Sequence, residues 1–303
     1  MRTWRPTSGA GPALASSGKV TVSTDRHGHT TGWATTDLAP GAAGQDDSAA
    51  AFFDVDNTMM QGASLYWFAR GLAARRYFTA ADLARFAWQQ LRFRLLATEH
   101  AGAMSNAKEA ALAFVEGWRV GDIERLTAEI FDELMAPRIW AGSRALAQLH
   151  LAAGQRVWLV SAAPVEIGRV IAERLGLTGA IGTVAEIRDG VYTGRLVGEL
   201  MHGPAKAEAI TQLAAAEGLD LSRCTAYSDS VNDIPMLSTV GRSVAVNPDP
   251  ALLRAARSHG WEVRDFRTVR RAARIAVPST VAAGLLAGAA SAGLALHRRR
   301  RAS

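Results

Sequence analysis

Hydrophobic and polar positions change their rhythm several times along the chain. Residues 1–48 are rich in Gly, Ala, Ser and Thr with no lasting period, and are expected to form a disordered tail. From Ala50 the pattern sharpens. "AAAFFDVDNT" reads as a short buried strand. From about Leu65 to Pro137 the spacing turns helical, as in "LYWFARGLAARRYF" and "AADLARFAWQQLRFRLL", and no strand pattern intervenes. "GSRALAQLHLAAG" predicts a helix with a glycine stop. Then strand-like and helix-like runs alternate. "QRVWLVSAAP" is a strand and "VEIGRVIAERLGL" a helix. "AEIRDGVYTGRL" is a hairpin turning at Asp189-Gly190, and "PAKAEAITQLAAAEGL" is a helix. "CTAYSDS" ends a strand, and "NDIPMLSTVG" is a short helix. "SVAVNPDP" is a strand, "ALLRAARSHG" a helix and "WEVRDF" a strand.

Such alternation predicts an α/β fold, a doubly wound parallel sheet with helices on both faces. The helical block at 65–138 interrupts it after the first strand, so the core comprises 49–64 and 139–268. No internal repeat is present.

Composition narrows the function. At 303 residues and 49% hydrophobic, the chain can bury one or two cores. The net charge of +6 is almost all arginine; the lysines are Lys19, Lys108 and Lys206. The arginines are scattered except at Arg298–Arg301, which argues against nucleic-acid binding. The single cysteine, Cys224, forbids an internal disulfide and reads as a small buried hydrophobe. The N-terminus carries no apolar leader. Together these lead us to expect a cytoplasmic catalytic domain.

Polar residues cluster where the predicted strands give out, and there the ligands of doubly wound sheets bind. Asp54 and Asp56 end the first strand, Ser161 ends the second, Lys206 opens a helix, and Asp229 and Asp233 follow a later strand. Adjacent carboxylates repel and resist burial, so a metal ion is the expected counter-charge. A calcium loop does not fit, because Met59 and Leu65 occupy the positions that need Gly and Glu. Phosphoryl transfer does fit. Asp54 is a candidate nucleophile and Asp56 a candidate acid and base. Asp54 and Asp229 offer side-chain oxygens to Mg²⁺, and Asp56 its backbone carbonyl. Ser161 and Lys206 are candidate phosphate ligands. Singly, each has a plainer reading: Ser161 as a helix cap, Lys206 as a solvated helix residue, Asp229 and Asp233 as caps.

The four clusters in order resemble the haloacid dehalogenase superfamily of phosphatases, in the branch of the phosphoserine phosphatases. Its motifs match "DVDNT", "VWLVSAAP", "HGPAKAEAI" and "YSDSVNDIPML". The resemblance implies a helical C1 cap at 65–138 on a Rossmann-like core. It also implies Asp54 as nucleophile, Asp56 as acid/base, and Mg²⁺ on Asp54, Asp56 and Asp229. Ser161, Lys206 and Thr58 would bind substrate phosphate, and Asp233 and Asn232 would support the metal shell. Phosphoserine phosphatases usually carry an acid shortly after the first motif, suited to a substrate ammonium. Here "MMQGASLYWF" has none, which argues against phosphoserine itself. The implied activity is Mg²⁺-dependent hydrolysis of a small-molecule or lipid-linked phosphomonoester. A phosphotransferase using the same site and a membrane-tethered module with a silent site are the alternatives. The intact motif set speaks against the second.

Two further features bear on partners. Arg70, Arg85, Arg92 and Arg94 are candidates to grip an anionic substrate, but helix faces in solvent explain most of them. Trp67, Trp88 and Trp118 read as cap core. Residues 275–296 carry no charge and are flanked by arginines, which suits a transmembrane or membrane-surface helix on anionic lipid, ahead of a basic tail at 297–303. Gly284 and Gly288 form a G-x-x-x-G that suits a homodimer.

Overall fold

The computed structural model describes residues 20–24, 30–36, 47–77 and 115–267. The central strand is β3 (Ala50–Asp54), preceded by β1 (Val20–Thr24) and β2 (Thr30–Thr36). β3 runs parallel to β4 (Arg156–Pro164) on one side and to β7 (Thr225–Ser228) on the other. The sheet order is β1-β2-β5-β4-β3-β7-β8-β9, with β5 at Gly179–Arg188, β8 at Arg242–Val246 and β9 at Glu262–Arg264. From β5 to β9 the neighbours are parallel. The chain winds outward from β3 first through β4 and β5, then through β7, β8 and β9. The winding direction therefore reverses at β3, and a crevice opens at its carboxyl end.

The sequence produces this sheet because both faces of its centre are apolar. Along β3, Ala51 and Phe53 face one side and Ala50 and Phe52 the other, following the two-residue period of a strand. On the first face Phe53 stacks on Tyr227 with ring centroids 4.0 Å apart. Helix α4 (Val165–Leu175) covers this face with Ile167, Val170 and Ile171. The opposite face packs Phe52, Trp158 and Ala226 against Ala209, Ile210 and Leu213 of α5 (Pro204–Glu217). Both helices stop at a left-handed glycine, Gly176 and Gly218.

Between β3 and β4 the chain leaves the core. The described part of this insertion contains α1 (Ser64–Ala74) and α2 (Val120–Ile130). α2 continues through a π-turn and a 3-10 turn to Arg138. Entry and exit are tied together: Gln61 N donates to Arg138 O at 2.9 Å and Trp140 N to Met59 O at 2.9 Å. α3 (Ala141–Ala152) then leads into β4, and α6 (Ile234–Thr239) and α7 (Pro250–His259) connect the later strands.

The reading of 1–48 as a disordered tail is corrected at Val20–Thr24 and Thr30–Thr36. These segments form an antiparallel hairpin whose second strand pairs with β5. β-branched residues fill them, and pairing covers what would be an open sheet edge. The turn at Asp189-Gly190 is present, with φ of 50° and 75°, and joins β5 to the antiparallel β6 (Val191–Val197). However, β5 starts earlier than its pattern suggested, at Gly179. The proposed membrane segment at 275–296, its G-x-x-x-G, the basic tail, Arg85, Arg92 and Arg94, and Trp88 with the helical run around it lie outside the described residues. Among the described residues no helix is long and apolar enough to cross a membrane.

Gly182 of β5 lies against the turn that follows Ser161. A β-carbon there would stand 2.7 Å from Val165 Cα and 2.9 Å from Ala163 O, both backbone atoms. Gly182→Ala is therefore expected to destabilise the fold by about 1–3 kcal/mol in urea unfolding. Gly121→Ala, on an open helix surface, should leave stability unchanged or slightly raised.

Candidate active site

Asp54 is the last residue of β3, paired in register with Val160, so Ser161 stands beside it on the neighbouring strand. The chain then turns tightly. Met59 N and Met60 N both donate to Val55 O at 3.0 Å, and Asn57 adopts a left-handed φ of 61°. This turn presents Asp56, whose Oδ1 accepts from Ser64 N at 2.8 Å in the first turn of α1. From the other side, α5 delivers Lys206 from its own first turn. Lys206 Nζ donates to Asp54 Oδ1 at 2.6 Å and to Asp233 Oδ2 at 2.7 Å, and all three residues are buried. Asp233 is held in turn by the Ser228 hydroxyl at 2.7 Å. Asp229 follows β7 and is half-buried, and the Thr58 hydroxyl reaches its Oδ1 at 3.4 Å.

Charge is unbalanced here. One ammonium pairs with Asp54 and Asp233, while Asp56 acts on Asp54 and Asp229 stands near Asp233, so the site holds four carboxyl groups to one lysine. Burial pushes the Asp54 carboxyl well above its ordinary range; Lys206 opposes this, while Asp233 and Asp56 add to it. Asp229 is pushed up to about 6, by burial first and Asp233 second. Burial alone would lower the Lys206 pKa, but Asp54 and Asp233 outweigh it and the ammonium is held charged. Such a set favours an added cation. Among the described residues no three His, Cys, Asp or Glu side chains converge on one point. Two side-chain carboxylates, Asp54 and Asp229, with a backbone carbonyl make a hard oxygen set that fits Mg²⁺ completed by water or phosphate oxygens.

The structure brings together Asp54, Asp56, Lys206, Asp229 and Asp233, with Thr58 and Ser161 alongside. Thr58 is fully buried and directs its hydroxyl to Asp229, while its carbonyl accepts from Ser143 Oγ at 2.6 Å. Ser161 is buried, and its Oγ accepts from Ala163 N at 3.1 Å. Asn232 is exposed, its amide on Ser230 Oγ at 3.2 Å. Residues the sequence did not flag tie the site loops together. Asn247 donates through Nδ2 to Asn57 O at 3.2 Å and accepts Phe266 N at 2.7 Å. Two residues on, Asp249 N donates to Asp229 O at 2.8 Å, and Asp249 Oδ2 accepts Val231 N at 2.9 Å. The short 247–249 segment thus braces both acidic loops. Asp249 is legible as a cap before Pro250, but its hold on the second loop is not.

Residues 51–238 match the haloacid dehalogenase-like hydrolase family. The chain belongs to that family. The phosphoserine phosphatase SerB1 of Mycobacterium tuberculosis is 56% identical over 256 residues, covering 84% of this chain and 83% of that protein. An inhibition of morphological differentiation protein of Streptomyces azureus is 39% identical over 261 residues, covering 83% and 94%. A solved structure from Bordetella pertussis Tohama I, of a protein with unknown function, has a TM-score of 0.64 at 30% identity. It covers 72% of this chain and 98% of that one. Within this haloacid dehalogenase-like hydrolase, 247–249 is the part whose bracing role rests on contacts far apart in sequence.

Asn247 sits at φ 48°, a conformation glycine adopts freely, so Asn247→Gly removes the side-chain bonds without backbone strain. Hydrogen exchange at 55–62 is expected to accelerate in this variant, with a stability loss of about 1–3 kcal/mol. Ser243→Ala, which removes a buried bond from β8 to Leu237 O of α6, should leave exchange at 55–62 unchanged.

Proposed function

We propose that the chain is a Mg²⁺-dependent phosphomonoester hydrolase working through a phosphoryl group on Asp54. The observation that carries this reading is the buried Lys206 bridge between Asp54 and Asp233, set beside Asp56 and Asp229 at the carboxyl edge of the sheet. The family match and the 56% identity to a phosphoserine phosphatase support it.

In the first step an Asp54 carboxylate oxygen attacks phosphorus as the ester P–O bond breaks. Asp56 gives its proton to the departing alkoxide. In the second step Asp56 takes a proton from water, which attacks phosphorus and breaks the bond to Asp54, releasing phosphate. Lys206 offsets charge on Asp54 and the phosphoryl oxygens, and Ser161 donates its hydroxyl proton to one of them. Asp233 keeps Lys206 aimed. Thr58, with its hydroxyl on Asp229, positions that carboxylate and the loop behind it. Asp54, Asp229 and the Asp56 carbonyl would hold Mg²⁺, which lessens repulsion between carboxylate and phosphate. Phosphoserine enters as a candidate substrate through the name of the M. tuberculosis relative. The absence of an acid in "MMQGASLYWF" leaves its ammonium without a partner there, so a wider range of small phosphomonoesters is the proposed class.

Phosphate release from a panel of small phosphomonoesters should require Mg²⁺ and stop with chelator. Asp54→Asn should lose roughly 10³-fold or more in kcat while its circular dichroism stays unchanged. Mg²⁺-dependent turnover surviving in that variant would sink the mechanism.

A second outcome concerns pH. A protonated carboxyl is a poor metal ligand, and Asp229 gains its proton as pH falls through about 6. Asp54, the other proposed side-chain ligand, is also held well above its ordinary range by burial, so its proton competes as well. Calorimetric Mg²⁺ affinity should therefore fall as pH is lowered, by about tenfold per pH unit or more below about 6.

A further inference from the structure

We infer that Thr183 is a positioning residue for phosphate, fixing Ser161 and Lys206 relative to one another through one shared hydroxyl. This rests on the phosphatase reading and adds to it a residue whose side chain bonds only to the protein. Thr183 lies within β5 and is buried. Its Oγ1 donates to Ala162 O at 2.7 Å and accepts from Met201 N at 3.1 Å. Ala162 follows Ser161 directly, and Met201 stands five residues ahead of Lys206.

The first contact is needed because β4 departs from its ladder there. Val160 pairs with Ile181 and Pro164 with Thr183, so four steps along β4 match two along β5. The surplus residues bulge, and a bulge re-aims a side chain where a strand ends. Ser161 opens this bulge, and its Oγ accepts from Ala163 N at 3.1 Å. The Ala162 carbonyl falls inside it, and the Thr183 hydroxyl meets that carbonyl from the neighbouring strand. The Thr183 backbone is held on both sides, by Pro164 of β4 and by Trp33 of β2.

The second contact reaches the other phosphate ligand. Met201 lies between β6 and α5, and its side chain is buried in one apolar cluster with Ala209 and Ile210 of that helix. Gly203, at a φ of 55°, then turns the chain into α5, and Lys206 N donates back to Gly203 O at 3.1 Å. Met201 N is thus where the approach to Lys206 is bonded to β5. A hydroxyl has one proton and two lone pairs. Here the proton is committed to Ala162 O, and a lone pair serves Met201 N. Valine has the same shape with neither function, whereas serine keeps both.

The test titrates inorganic phosphate, with Mg²⁺ present, into the full chain by calorimetry. Thr183→Val should weaken phosphate binding about 10-fold or more and raise KM for phosphomonoesters in parallel. Thr183→Ser should stay within about threefold of wild type, since it keeps both bonds. Ser243→Ala, which loses a buried hydroxyl bond on β8, should bind phosphate as wild type does. On a Ser161→Ala background, Thr183→Val should cost about threefold or less, because part of its effect runs through Ser161. If Thr183→Val does not fold, Thr183→Cys is measured in its place. A thiol bonds weakly, so phosphate binding should then fall about three- to tenfold. Undiminished phosphate affinity in the folded valine or cysteine variant, or a full additional loss on the Ser161→Ala background, overturns the role of Thr183 and leaves the phosphatase reading standing. Wild type that neither binds phosphate nor hydrolyses the esters overturns both.

Discussion

The Lys206 ammonium is out of water, and the arrangement of the site depends on how its charge is met. Removing an ion from water costs several kcal/mol, and close carboxylates with good geometry are what offset it. Asp54 at 2.6 Å and Asp233 at 2.7 Å do so, and they come from different parts of the sheet. α5 must therefore dock with its first turn over the carboxyl ends of β3 and β7. The 3-10 turn after β7 must bend back far enough to deliver Asp233, where Ser228 receives it. Loss of either carboxylate would leave a buried charge without its full complement, a change that typically costs more than a pair contributes.

The sheet makes that geometry attainable. Winding reverses at β3, so its carboxyl end has a strand on each side and a crevice above it. Strands on either side contribute the groups around Asp54: β4 brings Ser161, and β7 leads to Asp229. Loops carry most of these residues, and loops do not hold a fixed distance unaided. Here Asn247 and Asp249 act as a cross-brace beyond the end of β8, bonded to the backbone of both acidic loops. The insertion is fixed separately, through paired chains at Met59–Gln61 and Arg138–Trp140.

What could be read in the sequence was what depends on near neighbours. β3 announces itself because four apolar residues precede an Asp, and α5 because Pro204 opens it and Gly218 ends it. The four motif positions were legible for the same reason. The hairpin of β1 and β2 was not, because two short strands gain their worth from β5, far along the chain. The start of β5 was hidden by Gly179 and Gly182, which look like loop residues, though Gly182 lets the turn after Ser161 pack closely. Asn247 gave no local signal. Its amide meets Asn57 across 190 residues, and only the fold brings them together. Thr58 shows the limit within a motif: its place was legible, but the aim of its hydroxyl was not.

The choice of cation follows the same physics. The chain has 34 basic residues and only three lysines, yet a lysine fills the position between Asp54 and Asp233. A compact ammonium with three donors can serve two carboxylates on different sides in a small space, where a planar fork would have to face one of them. Over an aromatic ring the requirement reverses. Arg138 lies over the Trp67 indole face, a position that suits a flat, weakly hydrated guanidinium better than an ammonium. A compact point charge serves where the protein buries two carboxylates together, and a flat cation serves where the surface it covers is itself flat.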